Sequence, residues 1–234
     1  MAHLKCLSAV LGTLACGVAL QVNAASDTFM TPSGASTGGQ PVDASATFTT
    51  GAGTVSISLN NLFANPTSVV QNLSDLSFTL SNGATSGMLA SSSGAEVTVN
   101  GDGTFSPGST VPTGWVLTGL QLNVLSAGGA GPTHLIIGPP GTGGTYSNAN
   151  GSIAGNKPHN PFLNQTATFM VDVTGVTAAT TVTGATFSFG TTEGANLVPG
   201  QPSSVPEPAS LGLLGMGLAG LGLVRRRSRK AKKV

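Results

Sequence analysis

The sequence predicts an all-β fold, a single antiparallel β-sandwich of jelly-roll type, lying between two specialised termini. Three observations predict it. The segment Ser26–Ser204 is rich in Thr, Ser, Gly, Ala, Asn and Val and poor in the Leu, Glu, Lys and Arg that populate surface helices. Its apolar residues recur with period two rather than with helical spacing. Turn signals punctuate these runs at short intervals.

Taken in order, the predicted strands begin with Ala46-Thr47-Phe48-Thr49 and Thr54-Val55-Ser56-Ile57-Ser58-Leu59. In the second run Val55, Ile57 and Leu59 share one face, and Thr54, Ser56 and Ser58 the other. Leu76-Ser77-Phe78-Thr79-Leu80 and Glu96-Val97-Thr98-Val99 follow. Trp115 to Leu125 reads as the longest apolar strand, and His134 to Ile137 as a short one. Ala167 to Val173 and Thr186-Phe187-Ser188-Phe189 complete eight. Asn82-Gly83, Asn100-Gly101-Asp102-Gly103, Asn123 onward and Asn150-Gly151 supply turns. No internal repeat is evident. Ser126 to Pro161, dense in Gly, Pro, Asn and Ser, reads as a long surface excursion. The nine Phe residues all lie within the body and are its expected core. The domain so predicted spans 26–191, and 192–204, with Pro199 and Pro202, reads as a linker.

The N-terminus reads as a secretory signal peptide over 1–24. Lys5 supplies positive charge, Cys6 to Leu20 an apolar stretch, and Val22-Asn23-Ala24 a signal-peptidase site with cleavage after Ala24 or Ala25. Leu14-Ala15-Cys16-Gly17 has the outline of a lipobox, but Thr13 stands where its Leu belongs. Cys6 and Cys16 are the only cysteines, and both lie in the segment to be removed, so the exported protein carries neither thiol nor disulfide.

The C-terminus has three parts: Val205-Pro206-Glu207-Pro208, an uncharged apolar run Ala209–Val224, and a basic tail with Arg225, Arg226, Arg227, Arg229, Lys230, Lys232 and Lys233. Two prolines around Glu207 forbid helix and hold the motif extended. As a helix the apolar run is about 24 Å long, shorter than a typical hydrocarbon core, and its five glycines lower its stability. Such a span suits a segment handed to a processing enzyme better than a permanent anchor. The basic tail is a topology determinant that stays cytoplasmic. Residues 205–234 resemble the PEP-CTERM sorting signal of exopolysaccharide-producing Gram-negative bacteria. The resemblance implies a membrane-embedded exosortase as partner, alongside signal peptidase, and an association with extracellular polysaccharide.

Charge excludes other partners. Between the termini the chain carries Asp27, Asp43, Asp75, Glu96, Asp102, Asp172 and Glu193 against Lys157 alone, a net charge of about −6. Such a body cannot neutralise phosphates, so nucleic acid is not expected. Gly138-Pro139-Pro140-Gly141-Thr142-Gly143-Gly144-Thr145 follows an apolar strand like a nucleotide-binding loop, but Gly144 replaces the Lys and no helical pattern follows. Neither nucleotide nor any other cofactor is expected. His134 and His159, with Asp172 and Glu193 as the nearest acids in sequence, are the only imidazoles for a hydrolase, and no G-x-S-x-G elbow accompanies them. A glycosidase pair among the seven acids stays open, though their scatter singles out no two. Asn100 to Thr104 offers three oxygen-bearing side chains to calcium but lacks a full acidic ligand set. Trp115 and Tyr146 are the only candidates for a sugar-stacking platform.

Three function classes remain open: a non-enzymatic surface or matrix protein, a secreted polysaccharide hydrolase, and a carbohydrate-binding or adhesive module. Missing nucleophile motifs weigh against the second and scarce aromatics against the third, so the first is expected.

Overall fold

The computed structural model describes residues 26–125, 134–149, 151–157 and 159–203. Their strands are β1 (Ser26–Met30), β2 (Ser36–Thr37), β3 (Gln40–Pro41), β4 (Ala44–Thr50), β5 (Thr54–Asn61), β6 (Leu73–Leu80), β7 (Met88–Val99) and β8 (Phe105–Val111). After them come β9 (Val116–Thr118), β10 (Gln121–Asn123), β11 (Ile136–Ile137), β12 (Phe162–Asp172), β13 (Val182–Phe189), β14 (Leu197–Pro199) and β15 (Gln201–Pro202). The all-β class holds. Among the described residues the one helical element is a 3-10 turn at Val69–Gln71, closed by Ser68 and Gln71 as a capping box.

Alternation drives the pairing. On β5 Val55, Ile57 and Leu59 are buried and Thr54, Ser56 and Ser58 are not; β4 likewise buries Ala44, Ala46 and Phe48. Because side-chain period is two, a one-residue slip would turn these faces apart, and β4 pairs β5 from Ala44↔Asn61 to Thr50↔Val55. Seven of the nine Phe residues are buried. Phe48 on β4 meets Phe78 on β6 at 5.3 Å between ring centroids and Phe29 on β1 edge-on at 6.1 Å.

The expected sandwich agrees in part with this all-β body, and the hydrogen bonds do not trace a jelly roll. Thirteen strands form one sheet in the order β14-β13-β6-β11-β12-β5-β4-β1-β15. Two short elements join what would otherwise be separate layers. Strand β11 is antiparallel to β6 at Leu73 and parallel to β12 at Leu163 and Asn164. At the far side, β14 pairs β13 and β15 pairs β1, with only Gly200 between them. Both ends of the strand order are thus one piece of chain, and the path returns on itself around the core. Two hairpins branch from it: β7–β8 from β12, and β10–β9 from β6.

Three expectations are corrected. Trp115 to Leu125 is no single strand, because Gly119 (φ +63°) folds it into the β9–β10 hairpin. The excursion from Ser126 to Pro161 is not a surface loop in its described parts, since Leu135, Ile136, Ile137, Tyr146, Ala149 and Ile153 are buried. Its polar composition is accommodated by side-chain bonds such as Asn61 Nδ2, which donates to both Gln71 O (2.8 Å) and Ile136 O (2.9 Å). The linker expected at 192–204 is, over Leu197–Pro202, an integral part of the sheet. Prolines at 199 and 202 do not prevent this, because a short edge segment tolerates a missing N–H.

Candidate functional site

The titratable groups come together in two places, neither evident from spacing. His134 is buried; its Nδ1 lies 2.6 Å from Pro161 O and its Nε2 3.2 Å from Glu96 Oε1. Glu96, on β7, is therefore the acid beside this histidine, rather than the sequence neighbours Asp172 or Glu193. His159 is also buried. Asp75 on β6 is buried and receives a hydrogen bond from Gln121 Nε2 on β10, while Asn123 Nδ2 donates to Glu193 Oε1 at 3.0 Å. Burial pushes the Asp75 carboxyl up to about 6, opposed by the Gln121 hydrogen bond and reinforced by the charge of Glu193. Among the described residues no three His, Cys, Asp or Glu side chains gather as a metal site would require.

The remaining sequence candidates have structural partners. Asp102 Oδ1 accepts from Thr104 N (3.0 Å) and Thr104 Oγ1 (2.7 Å), which holds its carboxyl below the usual range. This turn closes the β7–β8 hairpin, with Gly103 N–H donating to Asn100 O at 2.9 Å. In the glycine-rich loop the amides of Gly141 and Gly144 donate to Thr145 O and Gly141 O, so they serve the loop itself. No helix follows it. Trp115 and Tyr146 are both buried: Trp115 Nε1 donates to His134 O at 2.9 Å, and Tyr146 Oη to Gly138 O at 3.0 Å. Burial pushes the Tyr146 hydroxyl up to about 12. Neither ring forms an exposed platform.

One surface feature needed the registers to become visible. On the outward side of β1, β4, β5, β12 and β7, Thr28, Thr47, Ser58, Thr168 and Ser93 stand in one cross-strand row. Ser26, Thr49, Ser56, Met170 and Ser91 form the next. At the sheet spacing of about 4.8 Å each row extends about 19 Å. Thr28 and Thr47 hydroxyls lie 3.1 Å apart and Ser93 and Thr168 hydroxyls 2.9 Å apart. Neither row contains a charged residue. Serine and threonine alternation was legible strand by strand, but their alignment depends on four registers.

The chain ends form the last feature. β1 starts directly after the expected signal-peptidase site. It is antiparallel to β15, with Phe29 opposite Pro202 and Met30 opposite Gln201. Ser203 N–H then donates to Thr28 O at 2.7 Å. Ser203, the last described residue, is thus bonded to β1 two residues before Val205. Ala24, Ala25, Val205, Pro206, Glu207, Pro208, Arg225, Arg226, Arg227, Arg229 and Lys230 lie outside the described residues, as do the signal peptide and the apolar span Ala209–Val224. Among the described residues no helix is long and apolar enough to cross a membrane.

The sequence that follows Ser203 decides the comparison with known families. Residues 204–228 match the PEP-CTERM protein-sorting motif. The match covers the proline motif, the apolar run and the first four residues of the basic tail. A PEP-CTERM signal marks an exported protein that an exosortase, a membrane enzyme, sorts and processes. No curated protein and no solved structure matches the chain. The PEP-CTERM signal thus stands on a body whose own relationships the comparisons leave open.

Proposed function

We propose that this chain is an exported, non-enzymatic protein of the cell surface or extracellular matrix, delivered through its PEP-CTERM signal and associated with exopolysaccharide. The observation that carries the reading is the sorting motif at residues 204–228, placed directly after a β body free of cysteine. In this reading signal peptidase cleaves after Ala24 or Ala25, the Ala209–Val224 span halts in the membrane, and Arg225 to Lys230 hold its end in the cytoplasm. The exosortase-like enzyme then acts at Val205–Pro208.

Several features support a structural role over hydrolysis. His134 is buried, with Nδ1 bonded to Pro161 O and Nε2 lying 3.2 Å from Glu96 without a hydrogen bond, so the ring is packed into the body and not presented to solvent. Asp75 and Glu193 each accept a hydrogen bond from an amide side chain, Gln121 and Asn123, whereas a glycosidase needs two carboxyl groups presented to the bond to be cut. The polysaccharide contact is supported by the two uncharged rows, the first all hydroxyl and the second hydroxyl except at Met170, whose donors and acceptors suit a hydrated sugar polymer.

Replacing Pro206, Glu207 and Pro208 with Ala tests the reading. An uncleaved, membrane-retained form is expected, detected by mass and fractionation; identical mass and distribution for variant and wild type would overturn it. Co-sedimentation with the producing cell's own polysaccharide tests the second step, and equal recovery after changing Ser58, Thr168 and Ser93 to Val would remove the hydroxyl rows from it.

A further inference from the structure

The closing segment of the sheet directly precedes the sorting motif in sequence. Strand β15 pairs only two residues with β1, and both of its residues are exposed. It is nevertheless fixed at both sides. Upstream, Gly200 N–H donates to Ala185 O at 2.8 Å, and a side chain at Gly200 would meet Phe187 at 2.9 Å and Phe29 at 3.2 Å. Downstream, Ser203 N–H is committed to Thr28 O. From Ser203 to Val205 the chain reaches at most about 7 Å, and to Pro208 at most about 18 Å.

An enzyme that reads an extended peptide binds main-chain groups on both sides of its motif, as an added strand does. Here the groups just before the motif are already bonded to β1. The motif also begins no more than about 7 Å of chain from the bonded Ser203, so the folded body limits the room in which the enzyme would have to seat itself. We propose that β15 is a latch on processing: the sorting enzyme engages residues 205–208 only in molecules whose β15 has lifted from β1. This rests on the sorting reading above and adds to it a determinant inside the folded domain. A two-residue exposed edge pair belongs to the low-stability end of a fold, so it opens locally without global unfolding. The rate of cleavage is then scaled by the open fraction.

A reversible lock tests the latch in the full chain. Met30 and Gln201 are opposite each other and both exposed. Antiparallel partners lie about 4.5–5.5 Å apart at Cα, within the span of a disulfide. No other cysteine survives signal removal, so M30C/Q201C forms one defined bond after export. Pulse-labelled chains in cells carrying the processing enzyme should show cleavage slowed at least about five-fold in the double variant. Wild-type rates should return on adding a membrane-permeant reductant, and neither single-cysteine variant should differ from wild type. A second variant, with about twelve Gly and Ser residues inserted between Ser203 and Ser204, should be cleaved faster than wild type and should rescue the locked chain. Cleavage of the locked chain at the wild-type rate overturns the latch, as does an insertion that changes nothing in either background. A wild-type chain whose mass is never altered, and is equally unaffected by the P206A/E207A/P208A triple variant, overturns the sorting reading and the latch with it.

Discussion

Asp75 is the residue at which pH acts on this fold. Its carboxyl is pushed up to about 6 from an ordinary value near 3.8, chiefly by burial. A raised carboxyl pKa means that the folded protein binds the proton more tightly than the unfolded chain. The stabilisation from this group is complete below about pH 4 and is lost as pH rises through about 6. Asp75→Asn keeps the contact with Gln121 and removes the buried charge. Its melting temperature at pH 7.5 should exceed that of wild type, by about 1–2 kcal/mol in stability, and the difference should vanish near pH 4. Equal pH profiles for the two proteins would count against this account. Gly103 sets a second, steric test. Its φ is +85° and an added Cβ would come 2.3 Å from Tyr146 O, so Gly103→Ala should cost about 3 kcal/mol or more by chemical denaturation. Gly143→Ala, where a Cβ meets nothing within 4 Å, should lie within about 0.5 kcal/mol of wild type. These residue roles were only half legible in the sequence. Asn-Gly-Asp-Gly announced a turn, as found, whereas Asp75 gave no sign, because its burial comes from β10 and from the loop carrying Glu193.

At the scale of elements, the period-two runs were legible because their alternation directly reflects a half-buried sheet. Thr54 to Leu59, Ala167 to Val173 and Thr186 to Phe189 all fall within strands β5, β12 and β13 or, for Val173, directly beside one. Strands that escaped were those without apolar alternation. β8 reads Phe-Ser-Pro-Gly-Ser-Thr-Val and exposes its five central residues, and it exists because β7 templates it. As an outer edge paired only with β7, it is protected by Pro107, whose missing N–H discourages further strands. Pro107→Val should therefore lower the temperature at which light scattering begins. An unchanged onset would mean that the edge is guarded by something else. β14 and β15 escaped because proline and glycine composition imitates a tether. Their membership in the sheet makes a definite claim: a chain ending at Asn196 loses buried Val198 and the bonds to β13 and β1. It should be less stable than one ending at Ser204 by about 3 kcal/mol, measured as a shift in denaturation midpoint. Similar midpoints would return this segment to the role of a tether.

For the whole molecule, composition settled the class and left the connectivity open. Two-residue strands such as β11 and β15 decide whether layers stay apart or join, and no propensity is strong enough to signal so short a pairing. Nothing in the described residues ties the body to a ligand for stability, since Asp102 is bonded by Thr104 and the glycine loop by itself. The segment Ser26–Ser204 should thus melt at the same temperature with chelator, magnesium nucleotide or dithiothreitol added. A rise on adding calcium would instead show binding to the native state by mass action. The pairing of β1 with β15 has one more consequence, and it concerns time. Phe29 meets Pro202, and Asp27 accepts from Val182 N–H across 155 residues, so closure joins the first strand of the body to its last. Contacts so distant along the chain make a fold form slowly. A ribosome or a secretion channel releasing the N-terminal end first would hold an open, incomplete sheet until nearly all of the body had emerged. Slow closure keeps the chain threadable during passage, and the body completes itself only as the sorting signal comes into reach.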